Sequence, residues 1–185
     1  LDQRERVADC LDKINSSGRY LLGLINDILE MGRMEHGQIQ LTCQQFDLNS
    51  CVEECLGVFR MQAERERKHL RETLQIQRPL LVGDAFRIQQ ILNNLLSNAF
   101  KFTPSEGQVT IRVNTVTQAE CELLPHFPAQ YSSILIEAGY LFIEVIDTGK
   151  GFSEQEAEKI FEPFYRSQED IHRQISGTGI GLSLT

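Results

Sequence analysis

Val7, Leu11, Ile14, Gly18, Leu21, Ile25 and Ile28 recur at alternating spacings of four and three near the front of the chain. That is the 3.5-residue period of a coiled coil or four-helix bundle, narrower than the stripe of a helix lying on a sheet. It predicts one long helix over residues 1–35. Leu22, Leu24 and Leu29 widen the stripe near its end, which favours a bundle over a two-stranded zipper. A helix this long needs a partner to bury its seam. Either a second chain supplies it, or the helix folds back on its own domain.

After Gly37 the pattern changes. Ile39 and Leu41 alternate within 38–43 and predict a short strand. Asp47 is placed to cap a helix running to about Lys68, with Val52, Cys55, Leu56, Phe59 and Ala63 facing inward. A strand follows at 70–76. Gly83 and Asp84 then open a third helix reaching about Phe100. Strands are expected at Gln108–Val116 and Leu141–Ile146, with 117–139 between them as a long hairpin loop. Ser153 with Glu156 forms a capping box for a short helix ending near Ile160. Helices mixed with such strands point to an α+β sandwich.

Acidic residues outnumber basic ones 26 to 18, for a formal net charge of -8. That balance argues against nucleic acid or an anionic membrane surface as the main partner. A small polyanion remains compatible, because backbone donors and a cation can supply local positive potential. The cysteines at 10, 43, 51, 55 and 121 include no CxxC pair and suit neither a disulfide framework nor zinc. They read as free thiols in a reducing, cytoplasmic setting. No apolar run has the length of a membrane span, so no direct membrane contact is expected from this piece. A membrane-anchored parent protein remains compatible.

Three patterns carry chemistry. On the helix of 85–100, Ile88, Leu92, Leu95, Leu96 and Ala99 form the core face, at about 100° per residue. Asn94, Asn98 and Lys101 fall together on a different face, flanked by Arg87 and Gln90. Two amides and an amine there suit a metal-bridged phosphate, although a solvated polar face has the same composition. Asp147-Thr148-Gly149-Lys150-Gly151 ends a buried strand. Its carboxylate can accept from a ligand donor and its glycines permit close backbone approach, or the segment is an ordinary turn. Gly177-Thr178-Gly179-Ile180-Gly181-Leu182 places three glycines on alternate positions, able to wrap an anion or to act as a hinge.

The order of these patterns is more specific than any one of them. Asn94-Leu-Leu-Ser-Asn98-Ala-Phe-Lys101-Phe-Thr resembles the N box of sensor histidine kinases, and Asp147-Thr-Gly-Lys-Gly151 resembles their first glycine box. Phe161-Glu-Pro-Phe164 is similar to the F box and Gly177-Thr-Gly-Ile-Gly181-Leu to the second glycine box. The front helix, ending Leu24-Ile25-Asn26-Asp27-Ile28-Leu29-Glu30, resembles the second helix of the dimerisation domain. The resemblance implies a Bergerat-type α/β sandwich, a mixed sheet packed on helices on one face, over residues 37–185. Residues 1–36 would be the second dimerisation helix preceding it.

Carried onto this chain, the resemblance implies that Asp147 accepts from the adenine amino group. Asn98 would coordinate magnesium and Asn94 would support the metal or its waters. Lys101 would contact phosphate, and Phe102 would pack on adenine. Gly149 and Gly151 would shape the base end, while Gly177, Thr178, Gly179, Gly181 and Leu182 would admit the triphosphate. Residues 153–176 would form an ATP lid anchored by Phe161 and Phe164. Arg166 and Arg173 would contact phosphate or the neighbouring domain, unless they belong to a solvated lid face. The implied cofactors are ATP and Mg2+. The implied activity is a bacterial-type protein-histidine kinase acting in a phosphorelay, with a homodimer through residues 1–36 and a response regulator receiver domain as partners. A nucleotide-binding scaffold without phosphotransfer, or a Bergerat-fold ATPase, is the alternative.

Two departures sharpen the reading. The related ATPases gyrase, Hsp90 and MutL carry a glutamate base where this chain has Asn94, which cannot take a proton. None of His36, His69, His126 and His172 has the acidic and arginine neighbours of a phosphoacceptor; His69-Leu70-Arg71 comes nearest, with leucine in place of the acid. The acceptor helix, the last helix and the final hairpin are therefore expected to lie outside this sequence.

Overall fold

The computed structural model describes residues 3–38, 40–76, 79–116, 140–167 and 177–185. The hairpin loop expected at 117–139, Cys121, His126, His172 and Arg173 lie outside them. The chain divides into two compact units, Leu41–Phe152 and the pair of segments Leu1–Gln40 with Ser153–Thr185.

The first unit is a mixed sheet covered by two helices. Strands β2 (His69–Gln75), β4 (Gln108–Val116) and β5 (Tyr140–Asp147) lie in the order β2-β4-β5. β2 and β4 run parallel, from His69↔Gln108 to Gln75↔Asn114. β4 and β5 run antiparallel, from Val109↔Asp147 to Val116↔Tyr140. Side chains alternate across a strand. Val109, Ile111 and Val113 are therefore buried on one face, while Arg112 pairs with Glu144 at 2.7 Å on the other.

Helices α2 (Leu48–Glu66) and α3 (Ala85–Phe102) cover the buried face. Asp47 caps α2, accepting from the Ser50 amide at 2.8 Å. Asp84 caps α3 through the Arg87 amide at 3.2 Å, and its other oxygen accepts from the Thr42 amide at 2.9 Å. The five inward residues expected on α2 are buried. On α3, Leu92, Leu96 and Ala99 are buried, whereas Ile88 and Leu95 are only half-buried. Phe100 extends that face, is fully buried and tilts against Phe59, with ring centroids 5.2 Å apart.

Two expectations need correction. The strand placed at 38–43 is absent among its described residues; β1 is Gln44–Asp47. It pairs antiparallel with β3 (Leu80–Gly83), which the sequence reading omitted, from Gln44↔Gly83 to Asp47↔Leu80. Leu41, whose alternation with Ile39 suggested the strand, is 63% exposed.

In the other unit, α1 runs unbroken from Gln3 to Glu35. The seam residues Val7, Leu11, Ile14, Leu21, Ile25 and Ile28 are 45–68% exposed among the described residues. Ser153 and Glu156 form the expected capping box, but α4 (Glu154–Ala157) ends before Ile160. Pro163 disfavours helical backbone at Glu162, and the chain turns instead. A single 3-10 turn, Gly181–Leu184, follows the glycine run. No helix among the described residues is long and apolar enough to cross a membrane.

Cys51 and Cys55 are buried free thiols and Cys10 and Cys43 are exposed. Burial, with smaller contributions from the neighbouring Cys55 and Glu54, pushes the Cys51 thiol up to about 11. The thiolate that a soft metal needs is thereby disfavoured.

Candidate functional site

The C-terminal turn of α3 is held by a half-buried lysine. Arg67 ends α2 in the left-handed conformation, and Lys68 turns back toward α3. Its ammonium donates to the Phe100 carbonyl and pairs with Glu66 at 2.7 Å. A lysine is tolerated there because partners at both ends of its reach satisfy it. It also occupies one of the carbonyls that a helix end leaves without a partner.

Topology then brings the first glycine box to the same place. β5 ends at Asp147, opposite Val109 at the start of β4, and β4 follows α3 after a short turn. Thr148 locks the junction: its amide donates to the Gln108 carbonyl at 3.0 Å, and its hydroxyl accepts from the Gln108 amide at 2.9 Å. Gly149 lies so close to α3 that an added Cβ would stand 2.7 Å from the Phe102 carbonyl oxygen. Only glycine fits that approach.

Asp147 is exposed, and its Oδ1 accepts from the Gly149 amide at 2.8 Å. The carboxylate is thus oriented by its own loop. Asn94 and Asn98 are half-buried at i and i+4 on α3, and Arg87 donates to Gln90 at 2.8 Å beside them. Phe102 is half-buried, with the Lys101 ammonium 4.6 Å from its ring centroid and the Lys150 ammonium 5.6 Å. The sequence reading gave Lys150 no role. Its position between two glycines was the available signal. Gly151 has a φ of +66° and open space around it. The first unit therefore assembles Asp147, Gly149, Phe102 and Lys101 at one end of α3, with both asparagines on the same helix.

A cation here would meet neutral amide oxygens. No cluster of three or more His, Cys, Asp or Glu side chains suited to a metal occurs among the described residues. Amide oxygens suit a hard ion whose remaining ligands are phosphate oxygens and water, so the donor set fits magnesium arriving with a nucleotide.

The remaining predicted residues belong to the other unit. Gly179 has a φ of +73°, and a Cβ on it would stand 2.8 Å from backbone atoms of Phe164 and Tyr165. The Phe164 amide donates to the Gly179 carbonyl at 2.9 Å. The rings expected as lid anchors are exposed, Phe161 by 58% and Phe164 by 53%. The Phe164 backbone carries the link to the glycine run. Gly177, Gly181 and Leu182 are half-buried, and Ile180 is fully buried.

Thr178 ties the glycine run to α1. Its hydroxyl lies 3.3 Å from Asp27 Oδ2 and accepts from the Ile180 amide at 3.2 Å. Burial raises the Asp27 pKa above its ordinary 3.8, and the Thr178 hydrogen bond offsets part of that. A raised carboxyl favours the packed arrangement in its protonated form. The stabilisation is complete below the unfolded pKa and fades as pH rises through the raised value. Asp27→Asn removes the charge that burial disfavours and should therefore slow exchange of the Ile180 amide at neutral pH. Hydrogen exchange followed by NMR reads this directly, and faster exchange in the variant would contradict it.

Comparison with known proteins gives a consistent set of likenesses. Residues 83–185 match the family described as histidine kinase-, DNA gyrase B-, and HSP90-like ATPase. The cell-division control histidine kinase PdhS of Brucella canis is 33% identical over 191 residues, covering 98% of this chain and 16% of that protein. The circadian input-output histidine kinase CikA of Thermosynechococcus vestitus is 37% identical over 177 residues, covering 95% of this chain and 21% of that protein. The chain thus spans a small part of these curated relatives. Among solved structures, full-length ShkA in complex with AMPPNP superposes with a TM-score of 0.70 at 26% identity, over 100% of this chain and 33% of that one. Histidine kinase ThkA in complex with the response regulator TrrA superposes with a TM-score of 0.62 at 21% identity, over 90% of this chain and 42% of that one. At that identity the likeness is one of fold.

Proposed function

Because this chain belongs to the family of histidine kinase-, DNA gyrase B- and HSP90-like ATPases, we propose that it is the ATP-binding catalytic region of a sensor histidine kinase. Residues 37–185 form the catalytic domain in this reading, and residues 1–36 a dimerisation helix. The observation that carries it is Asp147, fixed by Gly149 against the end of the helix that bears Asn94, Asn98 and Lys101.

In this reading the adenine amino group donates to Asp147 Oδ2, and Phe102 packs beside the base. Magnesium bound with the nucleotide would neutralise phosphate charge; Asn98 would hold it, with Asn94 in support. Lys101 neutralises a further phosphate oxygen, while Gly177, Thr178, Gly179 and Gly181 offer backbone amides to the triphosphate. A nitrogen of an acceptor histidine on another helix attacks the γ-phosphorus. The bond to the β-phosphate oxygen breaks, ADP leaves with its electron pair, and the imidazole proton passes to solvent. Such transfer depends mainly on positioning and charge neutralisation. Asn94, where related ATPases have their base, leaves attacking water without a proton acceptor. The phosphoryl group would pass onward to a receiver domain. The exposed seam of α1 supports a homodimer through that helix.

The test is to incubate this chain and γ-labelled ATP with a separate fragment carrying the acceptor helix. Acid-labile label on the histidine is the expected result. Absence of label under saturating ATP favours a binding scaffold, and rapid steady hydrolysis favours an ATPase.

A further inference from the structure

The segment that follows α1 is fastened at both ends. Gly37, with a φ of +62°, donates to the Met34 carbonyl at 2.9 Å, and Gln38 donates to the Arg33 carbonyl at 2.8 Å. These bonds close α1 on its own last carbonyls. The next anchor is the Thr42 amide, which donates to Asp84 Oδ2 at 2.9 Å. Only residues 39–41 lie between the two anchors. The boundary between the compact units falls among them, at Gln40 and Leu41.

Asp84 can hold Thr42 because its carboxylate has two oxygens. Oδ1 caps α3 through the Arg87 amide at 3.2 Å, and Oδ2 takes a donor from outside the helix. A serine would cap α3 as well, but has no second oxygen for Thr42. The helix that Asp84 starts carries Asn94, Asn98 and Lys101. One side chain therefore begins the helix of the candidate site and ties to it the chain arriving from α1. Without that tie the first anchor is Gln44, opposite Gly83. The free connection would lengthen from residues 39–41 to 39–43, and its greatest reach from about 14 Å to about 21 Å. The volume open to its far end grows as the cube of that reach, roughly threefold, and effective concentration falls in proportion. The chain crosses back between Phe152 and Ser153, and this second connection keeps the loss moderate.

We propose that Asp84 is a positioning residue for phosphoryl transfer. By holding Thr42 at the start of α3 it keeps the connection from α1 short, and so keeps bound nucleotide within reach of an acceptor helix paired with α1. The proposal rests on the kinase reading above and extends it to a residue that touches no ligand. The competing role is that of a helix cap alone.

The test uses the whole chain with ATP and the separate acceptor-helix fragment, in the wild type, Asp84→Ser, Thr42→Pro and the double variant. Serine keeps the cap; proline removes the Thr42 N–H at a position outside any helix or strand. Each single variant should lower kcat for histidine labelling about two- to fourfold and leave the ATP Kd from calorimetry within about twofold. The double variant should be no slower than either single one, because both break the same bond. The Thr42 amide should exchange with solvent about tenfold faster in Asp84→Ser than in the wild type. Full kcat in Thr42→Pro, losses that multiply in the double variant, or an unchanged Thr42 exchange rate would make Asp84 a cap alone and overturn the proposal, with the kinase reading intact. A loss of ATP affinity as large as the loss of kcat would place the effect in the nucleotide site and also overturn it. A wild type that binds ATP and labels no histidine would remove the kinase reading and the proposal with it.

Discussion

Asp147→Asn is expected to weaken ATP binding about 10- to 100-fold without unfolding the chain. The carboxylate must accept twice: Oδ1 takes the Gly149 amide at 2.8 Å, and Oδ2 is assigned to the ligand amine. An asparagine has one acceptor oxygen. If that oxygen keeps Gly149, the NH2 faces the amine of the base, donor against donor. If it turns to the base, the NH2 faces the Gly149 amide and the loop loosens. Either way one hydrogen bond to a charged group is lost, about 1.5–3 kcal/mol. Calorimetric titration decides it, and an unchanged affinity would show that this is not where the base binds.

Phe100→Ala should remove about 3–5 kcal/mol of stability, the usual cost of truncating a fully buried phenylalanine. The ring is fully buried between α2, α3 and the sheet, and its tilted contact with Phe59 disappears along with it. Against a typical total of about 5–15 kcal/mol, that loss moves the domain toward its unfolding threshold. The carbonyl that Lys68 uses is main-chain and survives the change. Nucleotide affinity of the folded fraction should therefore fall much less than stability. Urea unfolding measures it; a shift below about 1 kcal/mol would mean that the neighbouring side chains close the void.

How far the sequence could be read depended on the range of the interaction involved. Asp47, Asp84 and the Ser153–Glu156 pair cap amides three residues away, and the helix starts they mark are where the sequence predicts them. β4 was legible from its own alternation. β1 and β3 were misplaced or missed because each is four residues long and exists through pairing with the other. Phe100 lies one residue beyond the core face that the helical period marks from Ile88 to Ala99, and its burial comes from packing against Phe59 on α2. The roles of the candidate residues came from the order of the boxes and their family likeness. What the sequence could not display is how that site is braced: Lys68 reaches a carbonyl 32 residues away, and Thr148 meets Gln108 across 40 residues.

The antiparallel pairing of β5 on β4 has a kinetic consequence. β5 can be added only after the chain closes on itself between Val116 and Tyr140, and β4 must also align in parallel with β2 across α3. Closures over such separations are slow relative to helix formation. The asparagine-bearing helix can therefore form early, but Asp147 reaches it only when the last strand docks. Ligand competence is then a late folding event. A substitution that merely hastens β5 detachment would silence the protein while leaving every ligand-facing side chain in place.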